Sequence, residues 1–209
     1  MKKMRSTYRP GWARFCGRML KLLGWTTDNG PAPEKKVVML GVPHTSIWDF
    51  IVSYLFYTQF GKVAHLMVKK EFFFWPVGAF LRDCGCIPVD QSSAASMVKS
   101  LIEYMEGVDE FHLAMAPEGT REPVKRWKTG YHLIARETGA TVYMSYFDWK
   151  TKHIGIGKPV ELTNDARADT ARIQAMYEEM GLQGKHPEKY MTHYNLWVDL
   201  TKLDSARAK

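Results

Sequence analysis

The stretch VVMLGVPHTSIWDF, residues 37–50, joins a mostly apolar run to a polar turn and to the start of a second apolar run. The run VVMLGV (37–42) is typical of a buried β-strand, and residues 49–60 have the apolar spacing of a helix. His44 lies in the turn between them, and Asp49 follows at the start of the helix. A strand that leads through a short turn into a helix is the building unit of α/β proteins.

The same alternation continues along the chain. Further strands are predicted at VAHLMV (63–68), CIPV (86–89), FHLAMA (111–116), TVYMSYF (141–147) and HIGIGKPV (153–160), and further helices at 92–106, near 128–138 and at 165–180. This pattern predicts an α/β fold with a mainly parallel mixed sheet covered by helices. Ligands of such sheets bind at the carboxyl ends of the strands, which is where the turn with His44 falls.

The composition fits one globular domain, since the chain has 209 residues of which 45% are hydrophobic. The cysteines Cys16, Cys84 and Cys86 are too few for a disulfide framework and lack the spacing of a zinc site, so a reducing compartment and no metal are expected. Cys84 and Cys86 are interpreted as small buried residues rather than as a redox or metal fragment. No apolar run reaches the roughly 18 residues that a membrane-spanning helix needs.

The excess positive charge is confined to the N-terminal segment. The net charge is +7, and residues 1–36 carry nine lysine and arginine residues against two acidic ones, so the rest of the chain is balanced. This predicts that the N-terminal end meets an anionic surface, such as that of anionic lipids, and does not indicate nucleic-acid binding. The start of the chain does not resemble a secretory signal, because Arg14, Arg18 and Lys21 interrupt its apolar residues, so an intracellular protein is expected.

Residues 9–25 are predicted to form a basic amphipathic helix. Its apolar residues at helical spacing are Trp12, Phe15, Cys16, Met19, Leu22 and Leu23. Such a helix can lie in a bilayer interface with its cations near anionic head groups, and the alternative is a helix packed on the core of the domain. With the polar hinge TTDNGPAPEKK that follows, residues 1–35 are assigned to membrane association and linkage, and residues 36–209 to the main domain.

His44 and Asp49 allow two interpretations. They can meet if His44 is in the turn and Asp49 is in the first turn of the helix, because on a regular helix five residues place side chains roughly 140° apart. Asp49 would then fix the tautomer of a general base. Alternatively, Ser46 and Asp49 resemble a capping box, in which Asp49 only stabilises the helix start.

A second polar loop, MAPEGTREPVKRWKTG (115–130), also follows a buried strand and precedes a helix. Glycine lets backbone amides approach a ligand, threonine offers a hydroxyl, and arginine presents a fork that matches phosphate oxygens. The loop is therefore a candidate anion site, although the same residues also suit an ordinary turn followed by a solvated charged face.

HTSIWD (44–49) and PEGTR (117–121), in this order, resemble the H-x4-D and E-G-T-R motifs of the glycerolipid acyltransferase family, which includes 1-acylglycerol-3-phosphate acyltransferase. The resemblance covers roughly residues 36–160. The segment KKEFFFWPVGAFLRDCGCIPVD (69–90) is also similar to the middle motif of that family, which helps to form the acceptor site and in which Lys70 is the candidate substrate-binding residue.

The resemblance implies direct acyl transfer. His44, held by Asp49, would deprotonate the hydroxyl of a lyso-lipid, which would attack the thioester of acyl-CoA or acyl-carrier protein without a metal or prosthetic group. The residues that match the acceptor-binding motif are Glu118, Gly119, Thr120 and Arg121. These substrates imply a peripheral membrane protein on the cytoplasmic face of the cell membrane.

Three departures from the family pattern bear on the acceptor. Gln91 stands where the family commonly has arginine, the proline of a later V-P-V segment is replaced around Tyr143 and Met144, and Pro76 is closer than usual to Gly78. They leave the acceptor open between lysophosphatidic acid and a less anionic lyso-lipid such as an aminoacyl lipid. A lipid-binding protein without turnover and a thioester or lipid hydrolase are the alternative functions.

Other candidate residues have simpler interpretations. His65 and His112 lie in apolar strand runs and are expected to be core histidines. The aromatic run FFFW (72–75) suits an acyl pocket, a lipid contact or ordinary core packing.

Overall fold

Parallel strands form the centre of one mixed sheet in the computed structural model, which describes residues 9–28, 30–89 and 94–190. The strands are β1 (Thr26–Thr27), β2 (Lys36–Val42), β3 (Ala64–Lys69), β4 (Cys86–Val89), β5 (Phe111–Met115), β6 (Thr141–Asp148), β7 (His153–Gly155) and β8 (Pro159–Val160). The sheet order is β1-β7-β6-β2-β5-β3-β4, and β8 pairs with β6. Strands β6, β2, β5, β3 and β4 run parallel, whereas β7 and β8 run antiparallel to β6.

Helices connect the strands. They are α1 (Pro10–Leu22), α2 (Trp48–Thr58), α3 (Val77–Asp83), α4 (Ala94–Glu106), α5 (Gly130–Thr138) and α6 (Ala166–Glu179), with single 3-10 turns at Lys70–Phe72 and Pro187–Lys189. The predicted α/β fold with a mainly parallel mixed sheet is therefore confirmed.

The alternating side chains of the central strands divide the core into two layers. On one face, Val38 and Leu40 of β2 pack with residues of α4, α5 and α6. On the other face, Val37 and Met39 pack with residues of α1 and α2. Because both faces are covered, a ligand can reach the sheet at its edges.

The register places the carboxyl ends of neighbouring strands side by side. Leu40 of β2 pairs with Met115 of β5, and Val42 of β2 pairs with Tyr146 of β6. The turn after β2 and the loop after β5 therefore emerge at the same edge of the sheet.

Helix α1 packs on α2 through one side and exposes apolar residues on another. Ala13, Cys16 and Leu20 are buried, which confirms the packed interpretation for this face. The exposed apolar residues are Trp12, Phe15, Leu22 and Leu23. Within the described ranges, no helix is long and apolar enough to cross a bilayer.

The sequence missed two elements. The helix α3 was not predicted, and Thr26–Thr27 form the strand β1 where a hinge was expected. The hinge prediction is wrong there because the Thr26 N–H donates to the Lys152 carbonyl at 2.8 Å and joins the segment to β7. The cysteines Cys16, Cys84 and Cys86 are free and buried, as expected of small core residues.

Candidate active site

His44 and Asp49 meet at the carboxyl edge of β2. His44 is half-buried in the turn, and its Nδ1 lies 3.2 Å from Oδ2 of Asp49, the second residue of α2. The five-residue spacing works because the ring is still in the turn while the carboxylate is already in the first turn of the helix.

Asp49 is buried and its two oxygens accept further hydrogen bonds. Oδ2 receives the backbone N–H groups of Thr45 and Ser46, both at 2.8 Å, and Oδ1 receives the indole N–H of Trp149 at 2.7 Å. These donors and the start of α2 stabilise the charge of the buried carboxylate. Asp49 therefore orders the turn before α2 and also faces His44, so the two interpretations from the sequence describe one arrangement.

This contact sets the chemical state of the imidazole. A carboxylate only accepts hydrogen bonds, so the neutral ring of His44 carries its proton on Nδ1 and leaves Nε2 as an acceptor. A base of this kind can take a proton from a hydroxyl group within hydrogen-bonding distance of Nε2.

Glu118 lies behind the turn that carries His44. Its side chain is buried, and its Oε2 and Oε1 lie 2.9 and 3.3 Å from the backbone nitrogen of His44, whose N–H they accept. Burial raises the pKa of Glu118 to about 8, and the charge of Asp49 adds to this effect while the His44 N–H opposes it. Glu118 was expected among the substrate-binding residues, whereas its observed contact fixes the position of His44.

The rest of PEGTR forms a tight turn at the edge of the cleft. The Gly119 N–H donates to the Ala116 carbonyl at 3.1 Å. Gly119 has a φ of +67°, a backbone conformation that favours glycine. Gly119, Thr120 and Arg121 all line the cleft.

The cleft has a volume of about 1990 Å³ and runs along the carboxyl edge of the sheet past His44. Its lining includes apolar side chains, among them Met67, Val68, Phe72, Val77, Leu81, Val98 and Ile102. It also includes the cations Lys69, Lys99, Arg121, Lys125, Arg126, Lys128 and Arg167 and the acidic residues Glu103 and Glu137. Lys70, the predicted substrate-binding residue, begins the 3-10 turn next to the lining residue Lys69.

Residues near the end of the described chain support the turn from outside the predicted motifs. The backbone N–H of His186 donates to Oγ1 of Thr45 at 3.2 Å, and a Cβ on Gly184 would lie 2.5 Å from the same oxygen. Lys185 places its Nζ 4.7 Å from the ring centroid of Trp48 and 4.8 Å from that of Trp149. Sequence reasoning missed these contacts because they join residues that are far apart in the chain.

Other histidines in the described parts of the chain have structural partners. His65 stacks on Phe111, and burial lowers its pKa to about 4. His112 is buried and pairs with the hydroxyl of Tyr57, so the expectation of core histidines holds. His132 and Asp169 are both buried and 3.1 Å apart, and their pairing ties α5 to α6.

A histidine paired with a buried carboxylate, beside a cleft lined by apolar and cationic side chains, is an arrangement that an α/β enzyme can use. A family model described as Acyltransferase matches residues 26–147. The fold resembles the crystal structure of PlsC, the 1-acyl-sn-glycerophosphate (LPA) acyltransferase from Thermotoga maritima, with a TM-score of 0.57 and 17% identity over 80% of this chain and 76% of that chain. A comparison with curated proteins found no significant match.

The family match covers more than half of the chain and includes both HTSIWD and PEGTR. The chain therefore belongs to the acyltransferase family and is an acyltransferase, which confirms the family predicted from the paired motifs.

Replacing Glu118 with glutamine is expected to alter the pH dependence of stability. Below pH 4.5 the carboxyl is protonated in both the folded and the unfolded state, and above about 8 it is ionised in both. Between these values the folded protein holds one more proton, so the wild type loses stability as the pH rises, by at most about 1.4 kcal/mol per pH unit. Chemical denaturation at several pH values should show that the E118Q variant lacks this loss.

Glu122 offers a matched control because it is an exposed carboxyl of the same loop. The E122Q variant should keep the pH dependence of the wild type. Parallel stability curves for the wild type and E118Q between pH 5 and 8 would contradict the raised pKa of Glu118.

Proposed function

We propose that this acyltransferase moves a fatty acyl group from acyl-CoA or acyl-carrier protein to the hydroxyl of a lysophospholipid or related lyso-lipid. His44 is the general base, and Asp49 orients it. The observation that supports this proposal most directly is the 3.2 Å contact between Nδ1 of His44 and Oδ2 of Asp49 at the wall of the cleft. No nucleophile from the protein is required, because the acceptor supplies the hydroxyl.

The reaction can be written with these residues alone. Nε2 of His44 takes the proton of the acceptor hydroxyl while the hydroxyl oxygen attacks the thioester carbonyl carbon. The tetrahedral intermediate then collapses, the carbon–sulfur bond breaks, and the departing thiolate takes the proton from Nε2. An ester and a free thiol result, and Asp49 stabilises the imidazolium that forms between the two proton transfers.

The cleft supports an acceptor and a donor that each combine an acyl chain with phosphate. Its apolar lining residues suit acyl chains, and Arg121, Lys125, Arg126 and Lys128 offer cations for phosphate groups. We assign Gly119, Thr120 and Arg121 to acceptor binding, with Arg121 as the candidate for a phosphate. Lys70 and Glu118 complete the proposed substrate-binding set. Glu118 contributes indirectly, because it holds His44 in position.

The acceptor is a lyso-lipid in this proposal. PlsC acts on 1-acyl-sn-glycerophosphate according to its name, and lysophosphatidic acid is the corresponding candidate here. Gln91, where the family commonly has arginine, lies outside the described residues, while Tyr143 and Met144 are buried in the sheet. Because Gln91 replaces an expected cation, a less anionic lyso-lipid, such as an aminoacyl lipid, is the second candidate acceptor.

We also propose that the protein binds the cytoplasmic face of the cell membrane through residues 1–35. Support comes from α1, which exposes Trp12 and Phe15 together with Arg14, Arg18 and Lys21. Exposed aromatic and cationic side chains on one helix suit the boundary between acyl chains and anionic head groups.

The replacement of His44 by alanine tests the proposed mechanism. Without a general base, the rate of acyl transfer should fall by about 100-fold or more while the protein remains folded. The assay supplies acyl-CoA or acyl-carrier protein with a panel of lyso-acceptors and follows both free thiol and acylated product. Circular dichroism monitors the fold.

His153 provides the control, because it forms a partly exposed pair with Asp28 at 2.9 Å on a different edge of the sheet. The H153A variant should retain its transfer rate. Full turnover by H44A would remove His44 from the role of base. Thiol release by the wild type without acylated product would favour a hydrolase, and neither product with any donor or acceptor would favour a binding protein.

A further inference from the structure

Aromatic side chains project from the surface in the segment that follows β3. The exposed fractions are 55% for Phe72, 59% for Phe74, 87% for Trp75 and 63% for Phe80. These residues belong to residues 72–80, here called the aromatic segment. Large apolar groups left in water forgo the free energy of burial, and contiguous exposed apolar patches mark interaction sites. Their exposure excludes the core-packing interpretation for these side chains.

The aromatic segment is folded tightly on itself. The Gly78 N–H donates to the Phe74 carbonyl at 2.6 Å, and a Cβ on Gly78 would collide with the backbone of Phe73. The guanidinium carbon of Arg82 lies 5.2 Å from the ring centroid of Phe73, which is half-buried. The backbone of the segment is therefore fixed while these four rings stay exposed.

The aromatic segment is continuous with the wall of the cleft. Phe72 and Val77 line the cleft, as does Leu81 just beyond the segment. Phe74 and Trp75 are exposed and are not among the residues that line the cleft. An acyl chain at the surface formed by the exposed rings would meet the apolar lining residues of the cleft directly.

Helix α1 adjoins the same region through Tyr54 of α2. The indole N–H of Trp12 donates to the Tyr54 hydroxyl at 2.9 Å. Tyr54 is also within hydrogen-bonding reach of Cys84, which follows α3. Because α1 contains cations and no acidic residue, it adds a positively charged surface that is connected to the end of α3 through Tyr54.

We infer that the aromatic segment enters the boundary region of a lipid bilayer beside α1, so that acyl chains pass between the bilayer and the cleft. This inference rests on the proposed function, because it places a membrane at the mouth of the proposed lipid site. Tryptophan and phenylalanine favour the membrane boundary, and the cations of α1 complement anionic head groups.

The two surfaces should respond differently to salt. Residues 72–80 contain no charged side chain, so their contribution arises from apolar burial and is insensitive to ionic strength. The contribution of Arg14, Arg18 and Lys21 is electrostatic and is screened by salt. A neutral vesicle therefore removes the electrostatic contribution of α1 and leaves only apolar contributions to binding.

The test is flotation of the full chain with phosphatidylcholine vesicles at low and high salt. The partition coefficient of the double variant F74S/W75S should be lower by about tenfold or more at both salt concentrations. The free energy of burying one large apolar side chain corresponds to at least about a tenfold change in binding. M180S removes an exposed apolar side chain at the end of α6 and should bind like the wild type. R14Q/R18Q should lose binding only to vesicles that contain phosphatidylglycerol, and only at low salt.

Unchanged partition of F74S/W75S would overturn the inference. A concentration-dependent dimer of the wild type that F74S/W75S abolishes would also overturn it, because a second copy of the chain would then cover the rings. Flotation measures binding without turnover, so it is independent of whether His44 acts as the base.

A separate observation concerns Trp149, which lies just beyond the segment matched by the family model. Its indole N–H donates to Oδ1 of Asp49 at 2.7 Å, and its backbone N–H donates to the Gln183 carbonyl at 2.8 Å. The ring packs edge-on against Trp25, with centroids 4.9 Å apart, and Lys185 covers its face. The indole is thus fixed from several sides with its donor aimed at the carboxylate.

The geometry points to Trp149 as a positioning residue of the proposed reaction. By occupying Oδ1, the indole keeps the carboxylate plane oriented so that Oδ2 faces Nδ1 of His44. A hydrogen bond to a charged group inside a protein is stronger than one between neutral groups, so its loss leaves Oδ1 without this donor and Asp49 held through Oδ2.

The conservative variant W149F tests this role, because phenylalanine keeps an aromatic ring and removes the N–H. Its kcat should fall about tenfold with KM unchanged, since the free energy of a charge-assisted hydrogen bond corresponds to a change of about tenfold or more in a rate constant. W25F is the control, because Trp25 contacts the ring of Trp149 rather than Asp49. An unchanged kcat in W149F, or an equal loss in W25F, would overturn the role. The kcat values of W149F and W25F are each compared with that of the wild type. The result for Trp149 can therefore be told apart from the result of the His44 test.

Discussion

The site depends on one buried carboxylate. Asp49 accepts the backbone N–H groups of Thr45 and Ser46 and the indole N–H of Trp149, and it faces Nδ1 of His44. A carboxylate in the protein interior is costly unless hydrogen bonds compensate for lost hydration. The turn after β2 therefore has to present its donors to Asp49. The same requirement fixes where the imidazole sits and which nitrogen remains available for chemistry.

The topology of the sheet brings the second part of the site to the first. Strands β2 and β5 are parallel neighbours, so the loops that follow them meet at one edge. Glu118 consequently reaches the backbone of His44 across 74 residues of sequence. The layers of helices cover both faces of the sheet and leave the edge for polar groups. The cleft at this edge is lined by both apolar and cationic side chains, which is compatible with the lipid substrates proposed.

Much of the fold could be predicted because the main strands and helices carry regular apolar periodicity. The helix α3 was missed because its short, proline-preceded segment exposes aromatic residues and so lacks that periodicity. The spacing of His44 and Asp49 allowed a contact within one local turn but did not distinguish it from a helix cap. Trp149 could not be found in this way, because it is 100 residues away from Asp49 along the chain and only the tertiary fold brings the two side chains into contact. The motif predicted that Glu118 belongs to the site, but its burial and its contact with the backbone N–H of His44 are visible only in the structure.

The proposed chemistry requires that Asp49 holds the imidazole of His44 with its proton on Nδ1 and with Nε2 free to accept a proton. Nitrogen NMR of the wild type labelled with 15N-histidine, with the H44Q variant used for assignment, measures this directly at a pH where the ring is neutral. Nδ1 of His44 should be protonated and Nε2 should not, and D49N should abolish this preference. A neutral ring with its proton on Nε2, or a wild-type preference that persists in D49N, would show that Asp49 does not set the tautomer.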